Sequence, residues 1–246
     1  MLLVYICIPI KHIMKFSQPD CAHCNGRRDS LFSFCKMAEI DELNESKSCN
    51  SYKRGQVVFE EGANPLGVYC INSGKVKLYK HASDGKEQII RIVKPGDFLG
   101  YRSMLAGTKY KLSASAMEDT AVCMIPKATF LELFRTNESF SKGLLSALCS
   151  TLDESYTKMA DIAYKPVRGR VAEALLFLHN FYKDEQNPQG IINIGREDLA
   201  SFVGTVKETA IRMLKEFKDE GLIETDKSNI IVKDSEGLLH ISELYD

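Results

Sequence analysis

The stretch REDLASFVGTVKETAIRMLKEF, Arg196–Phe217, decides how this chain is read. Leu199 and Val203 recur four residues apart, and Ala210, Met213, Leu214 and Phe217 recur at i, i+3, i+4 and i+7, so two short amphipathic helices are predicted around Gly204. Helices that cross closely need a small residue in the first and a glycine in the turn, and Ala200 and Gly204 meet both demands. The outward face of the second helix then carries Lys207, Glu208, Ile211, Arg212 and Lys215. Lys207 and Arg212 can donate to guanine O6 and N7, Glu208 can accept from a cytosine amino group, and Ile211 can meet a thymine methyl. A solvated helix would equally pair Glu208 with Arg212 at i, i+4. It is the frame around these residues that favours base reading.

Downstream of that stretch, GLIET and NIIVKD read as two short strands around a polar turn at Asp226 to Asn229. Upstream, VAEALLFLHNFY places Val171, Ala174, Leu175, Leu178 and Phe181 on one helix face, and Pro188-Gln189-Gly190 turns the chain into the short strand IINI. Helices followed by a small hairpin describe a winged helix-turn-helix. From Lys165 to the end there are 11 Lys and Arg against 15 Asp and Glu, a net of −4. Such a domain binds DNA weakly as a monomer and depends on dimer geometry and a few well-placed cations.

Further upstream, Leu145, Leu148, Leu152, Ser155, Met159 and Ile162 step by 3, 4, 3, 4 and 3, an apolar seam along one long helix that asks for a partner helix across a dimer axis. Its bland alternative is packing on the chain's own β-domain. Pro166 and Gly169 in YKPVRGR are expected to stop that helix. Between Tyr52 and Ile125 the period falls to two: RGQVVFEEG, GVYCINSG, KVKLYKHASDGKEQIIRIV and TAVCMIP are strands punctuated by glycines. Ser83-Asp84-Gly85-Lys86 is a hairpin turn between two of them. The fold class is α+β: an antiparallel β-roll of jelly-roll or cupin-like type, a long dimerisation helix and a C-terminal winged helix-turn-helix. The domains run 1–29, an extension with a CxxC; 30–135, the roll; 136–165, the long helix; and 166–246, the winged helix-turn-helix.

The whole chain of 246 residues is 44% hydrophobic and 26% charged with net charge −1, which makes no global electrostatic case for nucleic acid or membrane. The opening MLLVYICIPIKHI is too short and too interrupted for a membrane span or signal peptide, and either Met14 starts the protein or these residues form a frayed tail. A cytoplasmic location follows as the expectation, and in that reducing compartment a CxxC is more often a metal or redox element than a structural disulfide. CAHCNGRRDSLFSFC, Cys21 to Cys35, is therefore read as a candidate metal site, and Cys7, Cys49, Cys70 and Cys149 as packing residues. A zinc site would draw on Cys21, His23 and Cys24, one ligand short of four. Enzyme chemistry on a cupin-like roll would want several histidines around a metal, and the roll holds only His81.

This order of parts, with E-T-x-x-R as Glu208, Thr209 and Arg212 and with RGRVAEALLFL opening the second domain, resembles the Crp/Fnr family of bacterial transcription regulators from about Ser30 to Ile241. The resemblance implies a homodimer on a two-fold symmetric double-stranded DNA operator, RNA polymerase as a further partner, and a roll that senses a small molecule, gas or redox state. It implies base contacts from Lys207, Glu208, Thr209, Ile211, Arg212 and Lys215. In cyclic-nucleotide-binding members a glutamate follows the GDxxG-type turn and an arginine-serine pair clamps the phosphate. Here Tyr101, and Tyr110 with Lys111, stand at those places, which argues against cyclic AMP; Gly96, Gly100, Tyr101, Arg102 and Lys111 mark where another anionic effector would sit. Iron–sulfur members use a short N-terminal cysteine group and a distant cysteine before Ile-Pro. Cys21, Cys24, Cys35 and Cys123 in VCMIP would be the corresponding ligands of a [4Fe–4S] cluster, although Cys35 lies further along than the pattern asks and LFSFCKMAEID reads as a helix start. Iron–sulfur, zinc and no metal all stay open at this point. So does a second class of function, an interaction module whose helix-turn-helix does not read DNA.

Overall fold

The computed structural model describes residues 19–28, 30–82 and 85–244, so the apolar N-terminal run, Met14, Cys7, and Ser83 and Asp84 of the hairpin turn lie outside the described residues. Two short 3-10 turns, Asn25–Arg27 and Leu31–Phe34, lead into helix α1, Met37–Ser46. The roll follows: β1 Ser48–Tyr52, β2 Val57–Phe59, β3 Gly67–Ser73, β4 Val76–His81, β5 Glu87–Val93, β6 Phe98–Leu99, the short helix α2 Tyr101–Leu105, β7 Ser113–Ala116 and β8 Thr120–Pro126. These strands make two antiparallel sheets, ordered β1-β8-β3-β6 and β2-β7-β4-β5. The expected β4–β5 hairpin forms, with Gly85 at φ 79° and the Ala82 amide donating to the Lys86 carbonyl at 2.8 Å. Only a residue without a Cβ takes that left-handed backbone at no cost.

Inside the roll, Phe59, Ile71, Val76, Val93, Leu99, Tyr110, Ala114 and Val122 pack between the sheets. Strict alternation fails on β7, where Ser113, Ala114, Ser115 and Ala116 are all buried. A strand buried on both faces has something packed on its outside. Here Tyr79, Ile89, Ile92 and Met117 from the roll join one apolar cluster with Val171, Leu175, Leu199 and Val203 of the C-terminal domain.

Helix α3, Lys127–Thr136, breaks at Asn137, whose side chain accepts from the Phe140 amide at 2.9 Å and so caps α4, Glu138–Tyr164. At 27 residues α4 extends about 40 Å at 1.5 Å per residue. Its first turns bury Phe140 and Leu144 against the roll. The sequence expectation that Pro166 and Gly169 stop the helix is corrected at one position. Pro166 begins α5, Val167–Tyr182, and Gly169 lies buried within it, where a Cβ would come within 3.1 Å of the Lys165 side chain.

The C-terminal domain continues with β9 Ile192–Asn193, α6 Arg196–Val203, α7 Lys207–Asp219, β10 Ile223–Asp226 and β11 Asn229–Val232, the three strands ordered β10-β11-β9. A last helix, α8 Ser235–Glu243, was not expected from the sequence. Asp234 caps it by accepting from the Gly237 amide at 2.9 Å, and Leu238 is buried in the domain's core. The expected class of antiparallel roll, long helix and winged helix-turn-helix is the fold observed.

Candidate nucleic-acid interface and cysteine site

Helix α7 is fixed by the residues it buries. Ala210, Met213, Leu214 and Phe217 face the core, and Gly204 takes φ 77° in the turn, so the α6–α7 crossing is set by backbone geometry and apolar packing together. Arg170 steadies the same turn, its Nη1 donating to the Val203 carbonyl at 3.3 Å. The opposite face is open: Lys207, Glu208, Ile211, Arg212 and Lys215 are exposed, Ile211 by 45%, while Thr209 is half-buried. Within this face Lys207 reaches Glu197 at 3.2 Å, and Arg212 leans toward Glu216 at 3.9 Å. The Glu208–Arg212 pair that a merely solvated helix would favour is not the contact Arg212 makes. Val206, just before the helix, is exposed as well and extends the apolar element of the face.

Along α4 the seam splits in two. Leu148 packs on the roll's core, whereas Leu145, Leu152, Met159 and Ile162 stand exposed together with Tyr156, Met159 by 61%. A row of exposed apolar side chains at heptad-like spacing has the pattern of a coiled-coil seam.

A contact that sequence reasoning missed joins the two domains. Ser201 of α6 sits on the edge of β5, its Oγ accepting from the Ile89 amide at 2.9 Å and donating to the Glu87 carbonyl at 2.6 Å. Lys77 of β4 bridges Asp198 of α6 at 2.8 Å and Glu87 at 2.5 Å. Burial acts against the Lys77 ammonium, but these two carboxylates outweigh it and the net shift of its pKa is upward. Lys158 of α4 donates to the Ile89 and Ile90 carbonyls at 3.1 and 3.3 Å and lies over the Phe202 ring. Its burial brings the ammonium down to about 8.

The proposed effector residues scatter. Arg102 and Lys111 are exposed, Tyr101 is buried at the start of α2, and Tyr110 is buried in the roll, stacked on Phe59 at 4.1 Å. Gly100, at φ 82°, has the Tyr110 ring where a Cβ would reach it at 3.1 Å, so the aromatic side chain occupies interior space behind the turn. Burial pushes the Tyr110 hydroxyl upward in pKa. Gly96 belongs elsewhere: it meets the backbone of Gly26 in the cysteine loop, and a Cβ on Gly26 would lie 2.5 Å from the Gly96 nitrogen.

The cysteines regroup. Cys35 is only 7% exposed but is packed with Phe32, Phe98 and Phe140 in the core, where burial raises its thiol to about 12. It does not line the cavity that Cys21, Cys24 and Cys123 share, so the structure does not bring the four expected ligands together. Cys49, taken as a plain packing residue, is corrected, whereas Cys70 is buried in the core as expected. Cys49 forms a disulfide with Cys123, its direct partner across β1 and β8, and Cys70 is the direct partner of Cys123 across β3 and β8. Directly opposed residues share a sheet face, so the three sulfurs lie in one row.

Over that row sits the N-terminal loop, and Cys21, Cys24, Cys70 and Cys123 line a single cavity of about 20 Å³ with Arg27, Lys47 and Asn72. Lys47, buried, donates to Cys21 Sγ at 3.0 Å and the Pro19 carbonyl at 2.5 Å and also bonds Asn44; the Asn72 amide donates to Cys24 Sγ at 3.3 Å. His23, the third ligand of the zinc reading, turns out to solvent and pairs with Asp20 at 2.5 Å. That pairing, a side-chain hydrogen bond first, lowers the Asp20 carboxyl. Of the four sulfurs around the cavity, those of Cys21, Cys24 and Cys70 are free thiols and that of Cys123 is bonded to Cys49. As the side chains stand, among the described residues no three such groups converge closely enough to hold a metal ion.

Two family models match the chain: the cyclic nucleotide-binding domain over residues 49–137 and the Crp-like helix-turn-helix domain over residues 169–241. The chain is 27% identical to a CRP-like cAMP-activated global transcriptional regulator of Mycobacterium tuberculosis, over 86% of this chain and 95% of that one. It is 26% identical to the transcriptional activator protein anr of Pseudomonas aeruginosa, over 89% and 90% respectively. The solved structure of FixK2 from Bradyrhizobium japonicum superposes with a TM-score of 0.73 at 23% identity, covering 81% of this chain and 99% of that one, which establishes likeness of fold.

Proposed function

Because the chain belongs to the Crp/Fnr family of transcription regulators, we propose that it is a sequence-specific, homodimeric DNA-binding regulator, and not an enzyme, whose β-roll senses a redox or oxygen signal. The observation that carries the first part is the open face of α7, with Glu208, Ile211 and Arg212 held outward by four buried residues on the opposite side. Two such helices related by the α4 seam would enter successive major grooves when about 34 Å apart. Such a regulator works in the compartment that holds the chromosome, and RNA polymerase is the partner the family relationship suggests. Among the described residues no helix is long and apolar enough to cross a membrane.

For the signal, cyclic AMP is disfavoured by the buried Tyr101 and Tyr110 and the scattered cations. The cysteines of the roll and its N-terminal loop are the better receptor: Cys21, Cys24 and Cys70 as free thiols, and Cys123 as a thiol once its bond to Cys49 is reduced. An iron–sulfur cluster bound there would supply one-electron redox chemistry. The chain's own residues shape that receptor: Lys47 and Asn72 orient sulfurs, and Gly26 against Gly96 seats the loop.

The test is operator selection from random DNA followed by gel shift. Arg212→Ala and Glu208→Ala are each expected to lose about 1–3 kcal/mol of discrimination at their base positions while the dimer persists on gel filtration. Unchanged specificity in both variants would remove α7 as the reading element. The net −4 of the C-terminal domain favours a second reading, an interaction module, and equal binding to selected and random DNA at fixed salt would support it.

A further inference from the structure

The C-terminal domain is joined to the roll in two places of different kind. One is the chain itself, where only Lys165 and Pro166 separate α4 from α5. The other is the junction of α6 with β5, which has an apolar and a polar part. Tyr79, Ile89, Ile92 and Met117 of the roll share a cluster with Val171, Leu175, Leu199 and Val203, and this holds the domain on the roll without fixing its angle, because apolar contact has no preferred direction. Hydrogen bonds do have one. We propose that Lys77, Asp198 and Ser201 are positioning residues that fix the angle of α6, and with it the recognition helix, and so set the half-site spacing that the dimer accepts. This role rests on the reading of the chain as a homodimeric, sequence-specific regulator and adds to it what selects among operators.

Asp198 and Ser201 stand three residues apart on α6 and so share one face of it. Ser201 Oγ accepts from the Ile89 amide at 2.9 Å and donates to the Glu87 carbonyl at 2.6 Å, both on β5. That strand is the outermost of its sheet, so α6 covers what would otherwise be an open edge. From the strand side the Gln88 amide donates to the Ser201 carbonyl at 2.5 Å, which ties the backbone of α6 as well as its side chain. One turn earlier Lys77 of β4 reaches Asp198 at 2.8 Å. Its ammonium is not free to follow a displaced carboxylate, since Glu87 holds it at 2.5 Å and only 15% of the side chain is exposed. Lys158 of α4 bonds the Ile89 and Ile90 carbonyls of the same strand, so α6 is referred through β5 to the helix that carries the proposed dimer seam. Gly204 and the buried face of α7 then pass the angle of α6 to the recognition helix.

The tolerance of these contacts is narrow on the scale of DNA. One base pair added between two half-sites moves them about 3.4 Å apart and turns one about 35° relative to the other. Shared equally by two protomers, that is about 1.7 Å and about 17° for each recognition helix. A displacement of that size at the junction carries bonds of 2.6 to 2.9 Å beyond hydrogen-bond reach, whereas the apolar cluster can slide by as much and stay covered. The polar contacts therefore penalise a wrong spacing, and the apolar ones do not.

The experiment uses the full chain and a set of duplexes that carry two identical selected half-sites, their centres moved together or apart by one and two base pairs, with one duplex that carries a single half-site. Wild type is expected to prefer one spacing over its neighbours by about tenfold, the scale of the hydrogen bonds and ion pair that a wrong spacing breaks. Lys77→Met and Ser201→Ala should flatten that preference to about threefold or less, while affinity for the single half-site and the base ranking within it stay as in wild type. Lys77→Arg and Ser201→Thr, which keep the charge and the hydroxyl, should retain it. Should Lys77→Met fold poorly by circular dichroism, Asp198→Asn removes the same ion pair from the other side. Hydrogen exchange at the Ile89 amide is read on these proteins without DNA, and it should accelerate in Lys77→Met but not in Lys77→Arg. A wild-type spacing profile in both Lys77→Met and Ser201→Ala, a lost preference matched by an equal loss of half-site affinity, or unchanged exchange at Ile89 would overturn the proposal. Sequence-blind binding by wild type, with the exchange differences intact, would overturn the reading of α7 and the spacing role with it, but not the part these residues play in the junction.

Discussion

Lys158 shows what one side chain contributes beyond its place in a pattern. It lies between the apolar stripe of α4 and the edge of β5, where its ammonium meets carbonyls and an aromatic ring but loses water. Burial depresses its pKa to about 8 from an ordinary 10.5, so between those values the unfolded chain binds more protons than the folded one. Stability contributed by this group therefore rises with pH through that window, because below about 8 the folded protein must carry a poorly solvated charge. Wild type is expected to gain thermal midpoint relative to Lys158→Met between pH 7.5 and about 9.5. Parallel curves in differential scanning calorimetry would contradict it. The same scale holds the limit of cysteine reading: the family resemblance proposed Cys35 against its spacing, the structure leaves it out of the cavity that Cys21, Cys24 and Cys123 line, and Cys70 stands beside Cys123 through a cross-strand register that no linear spacing displays.

At the scale of elements, α4 and α6 each do two jobs. The N-terminal turns of α4 bury Phe140 and Leu144, while Leu152 and Met159 remain exposed further along. Leu152→Glu or Met159→Glu introduces a charge into the proposed seam without disturbing the packed turns. Each is expected to shift the protein from dimer to monomer in sedimentation velocity and to weaken binding to a full operator far more than to a half-site. Helix α6 supports the recognition helix and also caps the edge of β5 through Ser201. Ser201→Ala leaves the Ile89 amide and Glu87 carbonyl without that partner, at a cost of about 1–3 kcal/mol if they stay dry. Hydrogen exchange at Ile89 should accelerate in this variant while exchange in the centre of β3 stays unchanged. The helix-turn-helix was legible because its glycine, its small residue and its apolar spacing are all local. Helix α8 was missed because SEGLLHISE is short and its apolar residues find their partners on α5, far away in sequence.

Over the whole molecule, the two candidate sites sit at opposite ends of a mechanical chain. The cysteine loop rests on β3 and β8, the second sheet carries β4 and β5, and those strands hold α6 beside the recognition helix. A signal that lifts or settles the loop has a packed route to α7, and coupling energies between variants at the two ends measure its use. The acidic C-terminal domain gives a further expectation. With few free cations on the reading face, the logarithm of operator affinity should fall less steeply with the logarithm of salt than for a strongly basic domain, and Lys215→Ala should lower that slope by about 1 if Lys215 touches phosphate. Titration at several salt concentrations measures it.

By itself the sequence determined the class and order of the parts, since period-two strands, a heptad-like seam and a glycine-turned helix pair are local patterns imposed by backbone geometry. It also determined which face of α7 is free, because four apolar residues at helical spacing can only be buried on one side. The tertiary structure alone decided that Cys49 and Cys70 flank Cys123, where Gly96 acts, and how the domains join. Those are contacts between residues far apart in the chain, fixed by strand register, by the close approach of two glycines and by the burial of charge, and none of them leaves a trace in spacing.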